Sequence, residues 1–177
     1  MEFFNIQIEK LENIEYNIHL FAYSLTVLLV PFLIGHPQII VGVIVNAALI
    51  LAAEFLDFKG TLPVIMLPSV GVLTRGLIFG PFTVFLIYMI PFIWIGNGIL
   101  VYAMKYFRGA KKINYFVSLG ISAALKAGFL FGSAFVLVNL GILPPIFLAT
   151  MGLMQVTTAL IGGAASFGVI KGRKLIR

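Results

Sequence analysis

Two cations, Arg75 and Lys126, lie inside long apolar stretches of a chain that has no acidic residue after Asp57. A charge removed from water is costly unless an opposite charge neutralises it. One possibility is that a carboxylate from the N-terminal part of the chain, such as Glu54 or Asp57, neutralises them. A second is that the side chains extend to water and lipid phosphate. The third possibility is an anion that is not protein, and it predicts a binding site for a small anion.

Lys126 lies about 20 Å from the basic end of its stretch at 1.5 Å per helical residue, which is further than a lysine stem reaches. On a helix, one narrow stripe is polar: Asn114, Ser118, Ser122, Lys126 and Ser133. A nearly opposite stripe is small, and we expect it to pack against another helix: Gly120, Ala124, Gly128 and Gly132. The polar stripe then predicts a cavity, unless the serines bond carbonyls of their own helix and Lys126 extends to the interface.

Three side-chain amides, Asn46, Asn97 and Gln155, fall at a depth similar to that of Lys126. We expect them to hydrogen-bond a ligand in the same cavity, although Asn46 and Asn97 could equally bond a neighbouring helix. Trp94 or Tyr88 would pack against the apolar body of that ligand.

Arg75 lies five residues before a predicted turn at Gly80, within the string LPSVGVLTRGLIFGP. Its planar guanidinium could pair with a ligand carboxylate or phosphate at the mouth of the cavity. The alternative is that it extends outward to lipid phosphate. Both alternatives stay open at this point.

The composition is that of a membrane protein. Hydrophobic residues make up 61% of the chain and charged residues 10%, whereas about a quarter of a soluble domain is charged. The net charge of +6 comes from cations at the ends of apolar stretches, so we expect no nucleic acid partner. Without cysteine, and without acids in the later stretches, we expect neither a metal nor another cofactor.

Six apolar stretches have about the length that crosses a bilayer, which is roughly 17–25 residues: 18–35, 37–55, 61–79, 81–104, 113–139 and 144–170. We therefore predict an all-α integral membrane bundle of six transmembrane helices over residues 18–177. Residues 1–17 would form an N-terminal juxtamembrane segment. Because two prolines and two glycines interrupt the third stretch, we expect that helix to be kinked or partly unwound.

Lysine and arginine collect at three of the predicted boundaries: Lys59; Lys105, Arg108, Lys111 and Lys112; and Lys171, Arg173, Lys174 and Arg177. Six crossings place all three groups on one side, which the positive-inside rule makes cytoplasmic. The sequence thus predicts a multi-pass protein of the cell membrane with both termini in the cytoplasm. We expect Glu54 and Asp57 to pair with Lys59 or with the basic loops.

The chain resembles the substrate-binding S components of energy-coupling factor (ECF) transporters. The resemblance rests on span number and on two strings, GPFTVFLIYMIPFIWIGNGIL (Gly80–Leu100) and QVTTALIGGAASFG (Gln155–Gly168). It implies a compact six-span protein that takes a vitamin, a vitamin precursor or a metal ion from the outer side. It also implies a membrane coupling subunit and cytoplasmic ATPases as partners, since this chain has no Walker A string.

These observations predict the substrate-binding subunit of a transporter for a small anionic metabolite, such as a vitamin or vitamin precursor. One alternative is a structural or assembly subunit of a larger membrane complex, whose polar stripes are satisfied by other chains. Another is a small channel, although pores usually carry rings of charge or carbonyls. We do not expect an enzyme, because the Ser122–Lys126 spacing is common by chance and no HExxH motif is present.

Overall fold

The computed structural model describes residues 2–34, 36–79 and 83–176, with side chains described for 12–34, 36–76 and 84–173. Within these residues the chain is helical and contains no strand. The helices, in chain order, are α1 (Glu2–Leu33), α2 (Gln38–Phe55), α3 (Phe58–Phe79), α4 (Thr83–Met104), α5 (Tyr115–Asn139), α6 (Ile146–Met151) and α7 (Leu153–Ile176). A π-helical turn (Lys105–Ala110) continues α4.

Five stretches of the described helices are long and apolar enough to cross a membrane: Glu12–Leu33, Gln38–Phe55, Val84–Ala110, Tyr115–Asn139 and Ile146–Arg173. Their outer faces carry large apolar side chains, such as Phe21 at 69% and Leu153 at 76% exposure. Such faces suit hydrocarbon rather than water. The chain is therefore an all-α, multi-pass membrane protein.

Helix α1 runs without a break through the boundary predicted after residue 17. The predicted juxtamembrane segment is therefore continuous with the first membrane-length helix in the described residues. Its apolar, membrane-length portion begins at Glu12.

Helix α3 is continuous and lies parallel to α1, beside it, since its start meets the first half of α1 and its end meets the last residues of α1. Next to its start, the Asp57 carboxylate accepts a hydrogen bond of 2.5 Å from the hydroxyl of Tyr16. Near its other end, Nη1 of Arg75 donates to the carbonyl oxygens of Phe32 and Leu33 at 3.0 and 2.8 Å. These contacts are separated by 16 residues of α1, or about 24 Å at 1.5 Å per residue. The partly unwound form is therefore not observed between Phe58 and Phe79, and the kink stays a prediction.

Helix α2 lies at the centre of the bundle, where it contacts α1, α3, α4 and α7. Its sequence is apolar on all sides, which is the pattern of a helix surrounded by other helices. The buried residues of α2 are Val41, Val45, Asn46, Ala48, Leu49, Ile50, Ala52 and Ala53. Asn46 is the polar member of that set, so its amide needs partners from neighbouring helices.

Helices α2 and α7 approach closely because small residues lie between them. A Cβ added to Gly162 would lie 2.5 Å from the carbonyl oxygen of Val43 and 2.8 Å from the amide nitrogen of Ala47. Four residues later, the hydroxyl of Ser166 donates to the carbonyl oxygen of Ala47 at 3.1 Å. Thr158, Gly162 and Ser166 are four residues apart, so they share the face of α7 that meets α2.

Among the described residues, no helix of this chain packs on the small stripe of α5, so the predicted packing of that stripe is not observed within the chain. A Cβ added to Gly120, Gly128 or Gly132 would meet no atom within 4 Å, and Ala124 is exposed. Three members of the polar stripe, Ser118, Ser122 and Lys126, are buried instead, whereas Asn114 at the start of α5 is exposed. The physical reason is that hydrocarbon offers polar groups no hydrogen bonds, whereas an exposed glycine leaves no polar side chain unpaired.

Candidate functional site

Three buried polar side chains connect helices α5, α2 and α7. The ammonium nitrogen of Lys126 donates to Oδ1 of Asn46 at 2.6 Å. Nδ2 of Asn46 donates to Oγ1 of Thr158 at 3.0 Å, and that hydroxyl donates to the carbonyl oxygen of Met154 at 2.8 Å. We refer to Lys126, Asn46 and Thr158 as the polar chain. The structure thus brings two predicted site residues, Lys126 and Asn46, into direct contact.

The polar chain crosses a gap between helices. In the described residues, no Cα atom of α2 lies within 8 Å of one in α5, so only long side chains can join them. Lys126 fills this gap with its four-carbon stem and is 2% exposed, as is Asn46. Lys126 therefore neither faces lipid nor extends to the interface.

Lys126 has no carboxylate partner among the residues that the structure describes. Glu54, one of the carboxylates proposed for it, accepts instead from Nε and Nη2 of Arg108 at 2.9 and 3.0 Å. An ammonium group has three donors, and the amide oxygen of Asn46 is a neutral acceptor for one of them. In the part of the chain whose side chains the structure describes, Lys126 is thus a buried cation without a carboxylate beside it, as the sequence argument expects.

The serines of α5 bond mainly within their own helix. The hydroxyl of Ser122 donates to the carbonyl oxygen of Ser118 at 2.7 Å, and that of Ser133 donates to Phe129 at 2.9 Å. This is the alternative in which serines bond back to preceding carbonyls. These hydroxyls are therefore internally satisfied.

Asn97 and Trp94 on α4 bond the backbone of α3. Nδ2 of Asn97 donates to the carbonyl oxygen of Ile65 at 3.0 Å, and Nε1 of Trp94 donates to that of Met66 at 3.2 Å. Pro68 lies inside α3 and lacks an amide hydrogen, which disturbs the hydrogen bonding of the preceding turn. The two side chains stabilise that turn, as neighbouring helices do for proline-containing membrane helices.

Arg75 lies at the end of the α1–α3 pair, where its guanidinium meets the last carbonyls of α1. These carbonyls lack donors from their own helix, and a cation suits the negative end of the helix dipole. Helix α3 does not contact α5 in the described residues. The structure therefore does not place Arg75 in the polar chain with Lys126.

The two remaining predicted site residues lie outside the polar chain. Gln155 is half-buried on α7, one turn before Thr158. Tyr88 is 52% exposed on α4. Thr158 is the member of the polar chain that was not predicted as a ligand, although it shares a helical face with Gln155 in the sequence.

Charged side chains cluster at the end of the bundle where α2 and α7 end. Arg173 near the end of α7 forms an ion pair with Glu15 in the first half of α1, which joins these two helices at one end of the bundle. Arg108 of the π-helical turn pairs with Glu54 of α2 through both carboxylate oxygens. The expectation that Glu54 pairs with a basic loop is thereby confirmed.

Asp57, between α2 and α3, is held by neighbouring donors. The hydrogen bond from Tyr16, together with one of 2.8 Å from the amide of Gly60, holds the pKa of Asp57 below its ordinary value. The positive charges of Lys105 and Lys59 act in the same direction. Hydrogen bonds and cations both favour the charged form of a carboxyl group.

In the described part of the chain, no three His, Asp or Glu side chains gather as a metal site. The polar chain offers one cation, one amide and one hydroxyl, which suit an anionic or hydrogen-bonding ligand. Comparison with protein-family models, with curated proteins and with solved structures found no match to this chain.

Proposed function

We propose that this chain is the substrate-binding subunit of a membrane transporter for a small anion, with Lys126 as its charged ligand. The observation that carries the proposal is the burial of an ammonium group that has no carboxylate partner among the described residues. Ionisable residues placed within a membrane bundle mark ligand sites or ion pathways by default. A bound anion would supply the charge that the chain itself does not.

Asn46 and Thr158 would complete this site. The anion would accept from a donor of Lys126 that Asn46 leaves unused, or it would displace the Asn46 oxygen, which lies 2.6 Å away. Because Lys126 is 2% exposed, entry requires the helices around it to separate. Movement of helices around a buried site is the usual route to a membrane-embedded ligand site.

Six crossings, with both termini in the cytoplasm, belong to the same proposal. Five stretches qualify by length and composition, and α3 is the proposed sixth crossing because it accompanies α1 over about 24 Å. Six crossings also agree with the side-by-side position of Glu15 and Arg173 at one end of the bundle. That end carries the basic π-helical turn, which the positive-inside rule assigns to the cytoplasm.

The resemblance to S components supports the transporter reading. It suggests a vitamin or vitamin precursor bearing a carboxylate as the substrate, and a membrane coupling subunit with cytoplasmic ATPases as partners. The cell membrane is the proposed location.

Native mass spectrometry of gently extracted protein tests the proposal. We expect the wild-type chain to retain a small anionic molecule and Lys126→Met to lose it. Lys171→Met is the matched control, because Lys171 is exposed near the end of α7 and its loss removes the same charge. Thermal unfolding of each variant, in the same detergent, shows whether the fold is kept.

Loss of the small molecule from both lysine variants, or retention in folded Lys126→Met, would refute the role of Lys126. Absence of any retained molecule from the wild type, after addition of a mixture of carboxylate-bearing vitamins, would refute anion binding itself. Either result is read directly from the mass of the intact complex.

A second candidate function is supported by the outward stripe of α5. Gly120, Ala124, Gly128 and Gly132 offer a surface on which another helix could approach closely. This favours a structural or assembly subunit. Co-purification of stable partner chains that include no ATPase, with no retained small molecule, would favour this function over transport.

A further inference from the structure

A cavity of about 610 Å³ lies at the charged end of the bundle, between α2, the π-helical turn and the segment that precedes α5. Three cations line it, Lys105 and Arg108 on the π-helical turn and Lys112 beyond it. Ile50 and Met104 contribute apolar walls. Its size is within the range of small-molecule sites.

The charge of this cavity is positive and is only partly neutralised. Glu54 is the carboxylate in the lining, and Arg108 already engages both of its oxygens. Lys105 donates to the carbonyl oxygen of Leu56, which is a neutral acceptor. The lining therefore holds an excess of two positive charges, on Lys105 and Lys112, over its acidic residue.

The backbone around the cavity is unusual in two respects. A π-helical turn is rare and is often found at functional sites. Lys112 has a φ of 58°, a left-handed conformation that a residue with a side chain seldom adopts. Gly109 in the π-helical turn lines the cavity, and a Cβ added to it would meet nothing within 4 Å.

We propose that this cavity binds a phosphate group, held between Lys105 and Lys112 beside the Arg108–Glu54 pair. Lysine acts on phosphate as a point charge with three donors, and two lysines match the charge and the several acceptor oxygens of phosphate. The apolar walls would hold the carbon-bearing part of the ligand. Basic pockets between helices at the cytoplasmic end of a bundle are typical sites for phosphate-bearing headgroups.

This site is independent of the proposed anion site at Lys126. Lys126 lies 11 residues after the start of α5 at Tyr115, which is about 17 Å along the helix, and Lys112 precedes that start. Arg108 and Glu54, which line the cavity, form an ion pair with each other. Neither side chain hydrogen-bonds Lys126 or Asn46 of the polar chain. Failure of one proposal leaves the other standing.

Titration of detergent-solubilised protein with dioctanoyl phosphatidylglycerol, followed by native mass spectrometry, tests the site. We expect Lys112→Gln to weaken binding about tenfold, as for a lost charge-assisted hydrogen bond. Lys111→Gln is the matched control, because Lys111 is adjacent and exposed but lies over the ring of Tyr106 rather than in the cavity lining. Dioctanoylglycerol, which has the same chains without phosphate, should not bind in this way.

Gly109→Phe provides a second variant that keeps every charge and fills the open space. We expect it to block the lipid while leaving the unfolding temperature near that of the wild type. Competition with inorganic phosphate and pyrophosphate identifies the source of the ligand. Displacement of the lipid at millimolar concentrations indicates a soluble phosphate compound, and failure to displace it indicates a lipid headgroup.

Equal weakening by Lys111→Gln and Lys112→Gln would overturn the proposal, because it would show general attraction to a basic surface. Unchanged binding in both Lys112→Gln and folded Gly109→Phe would also overturn it, as would equal binding of dioctanoylglycerol. Selective weakening by Lys112→Gln supports the site.

Discussion

Replacing Asn46 with aspartate puts a carboxylate where a neutral amide oxygen now lies 2.6 Å from the nitrogen of Lys126. Aspartate and asparagine have nearly the same shape, so the packing of α2 is preserved. The internal carboxylate would neutralise the ammonium group that the proposed ligand needs. We therefore expect Asn46→Asp to lose anion binding while it keeps its fold.

The expected size of this effect is that of the attraction between the anion and the Lys126 ammonium group, which the new carboxylate would offset. Opposite charges about 4 Å apart attract each other by roughly 4 kcal/mol at an effective dielectric constant of about 20. A ligand that loses an attraction of this size binds about 1,000-fold more weakly, since 1.4 kcal/mol is a factor of ten. The free energy of unfolding changes less, because the cost of desolvating the new carboxylate offsets its attraction to Lys126.

Asn46→Leu is the matched control, since it removes the amide without adding a charge. It leaves one buried donor of Lys126 without its acceptor, and we expect it to lower the free energy of unfolding by about 3 kcal/mol. Where this variant remains folded, it should bind the anion more tightly than Asn46→Asp does, because the ammonium charge remains without an internal carboxylate.

Ligand occupancy from native mass spectrometry and unfolding temperature in the same detergent are the two measurements for all three proteins. Wild-type occupancy in folded Asn46→Asp would refute the reasoning, because it would show that the ligand does not depend on the charge of Lys126. Equal loss of ligand from the aspartate and leucine variants would show that shape rather than charge decides binding.

Two further predictions concern stability. Gly162→Ala should lower the free energy of unfolding by about 1–3 kcal/mol, because its Cβ would lie 2.5 Å from the backbone oxygen of Val43. Gly120→Ala, which meets open space, should change it by no more than about 0.5 kcal/mol; equal effects would contradict the α2–α7 contact. The folded-state pKa of Asp57 is lowered, so its stabilising contribution is present above about pH 4 and is lost as pH falls through that lowered pKa. Asp57→Asn should therefore reduce the acid sensitivity of the unfolding temperature below about pH 4, and an unchanged acid profile would contradict this assignment.

The polar chain shows how far the candidate site could be predicted. Counting residues from the predicted turns placed Asn46 and Lys126 at the same depth, because a helix rises by a constant 1.5 Å per residue. Their contact at 2.6 Å agrees with that count. Asn97 has the same depth but bonds the carbonyl of Ile65, since depth along a helix carries no information about which neighbour a side chain faces.

The inward face of α5 could not be decided from periodicity. The sequence places Lys126 and Gly128 on different sides of one helix, and each side had a plausible reason to face other helices. The structure buries Lys126 and leaves Gly128 exposed. Asn46 on α2 provides the acceptor that makes this orientation favourable, and that acceptor lies 80 residues away in the chain.

The sequence by itself determined the membrane class, the apolar helices and the shortage of carboxylates beyond Asp57. These follow from composition and from helical geometry, which depend on neighbouring residues alone. Only the tertiary structure decided that Glu54 pairs with Arg108 rather than with Lys126. Pairing between distant side chains depends on how the helices pack, because the hydrogen bonds and charges that hydrocarbon cannot satisfy must be matched across helices.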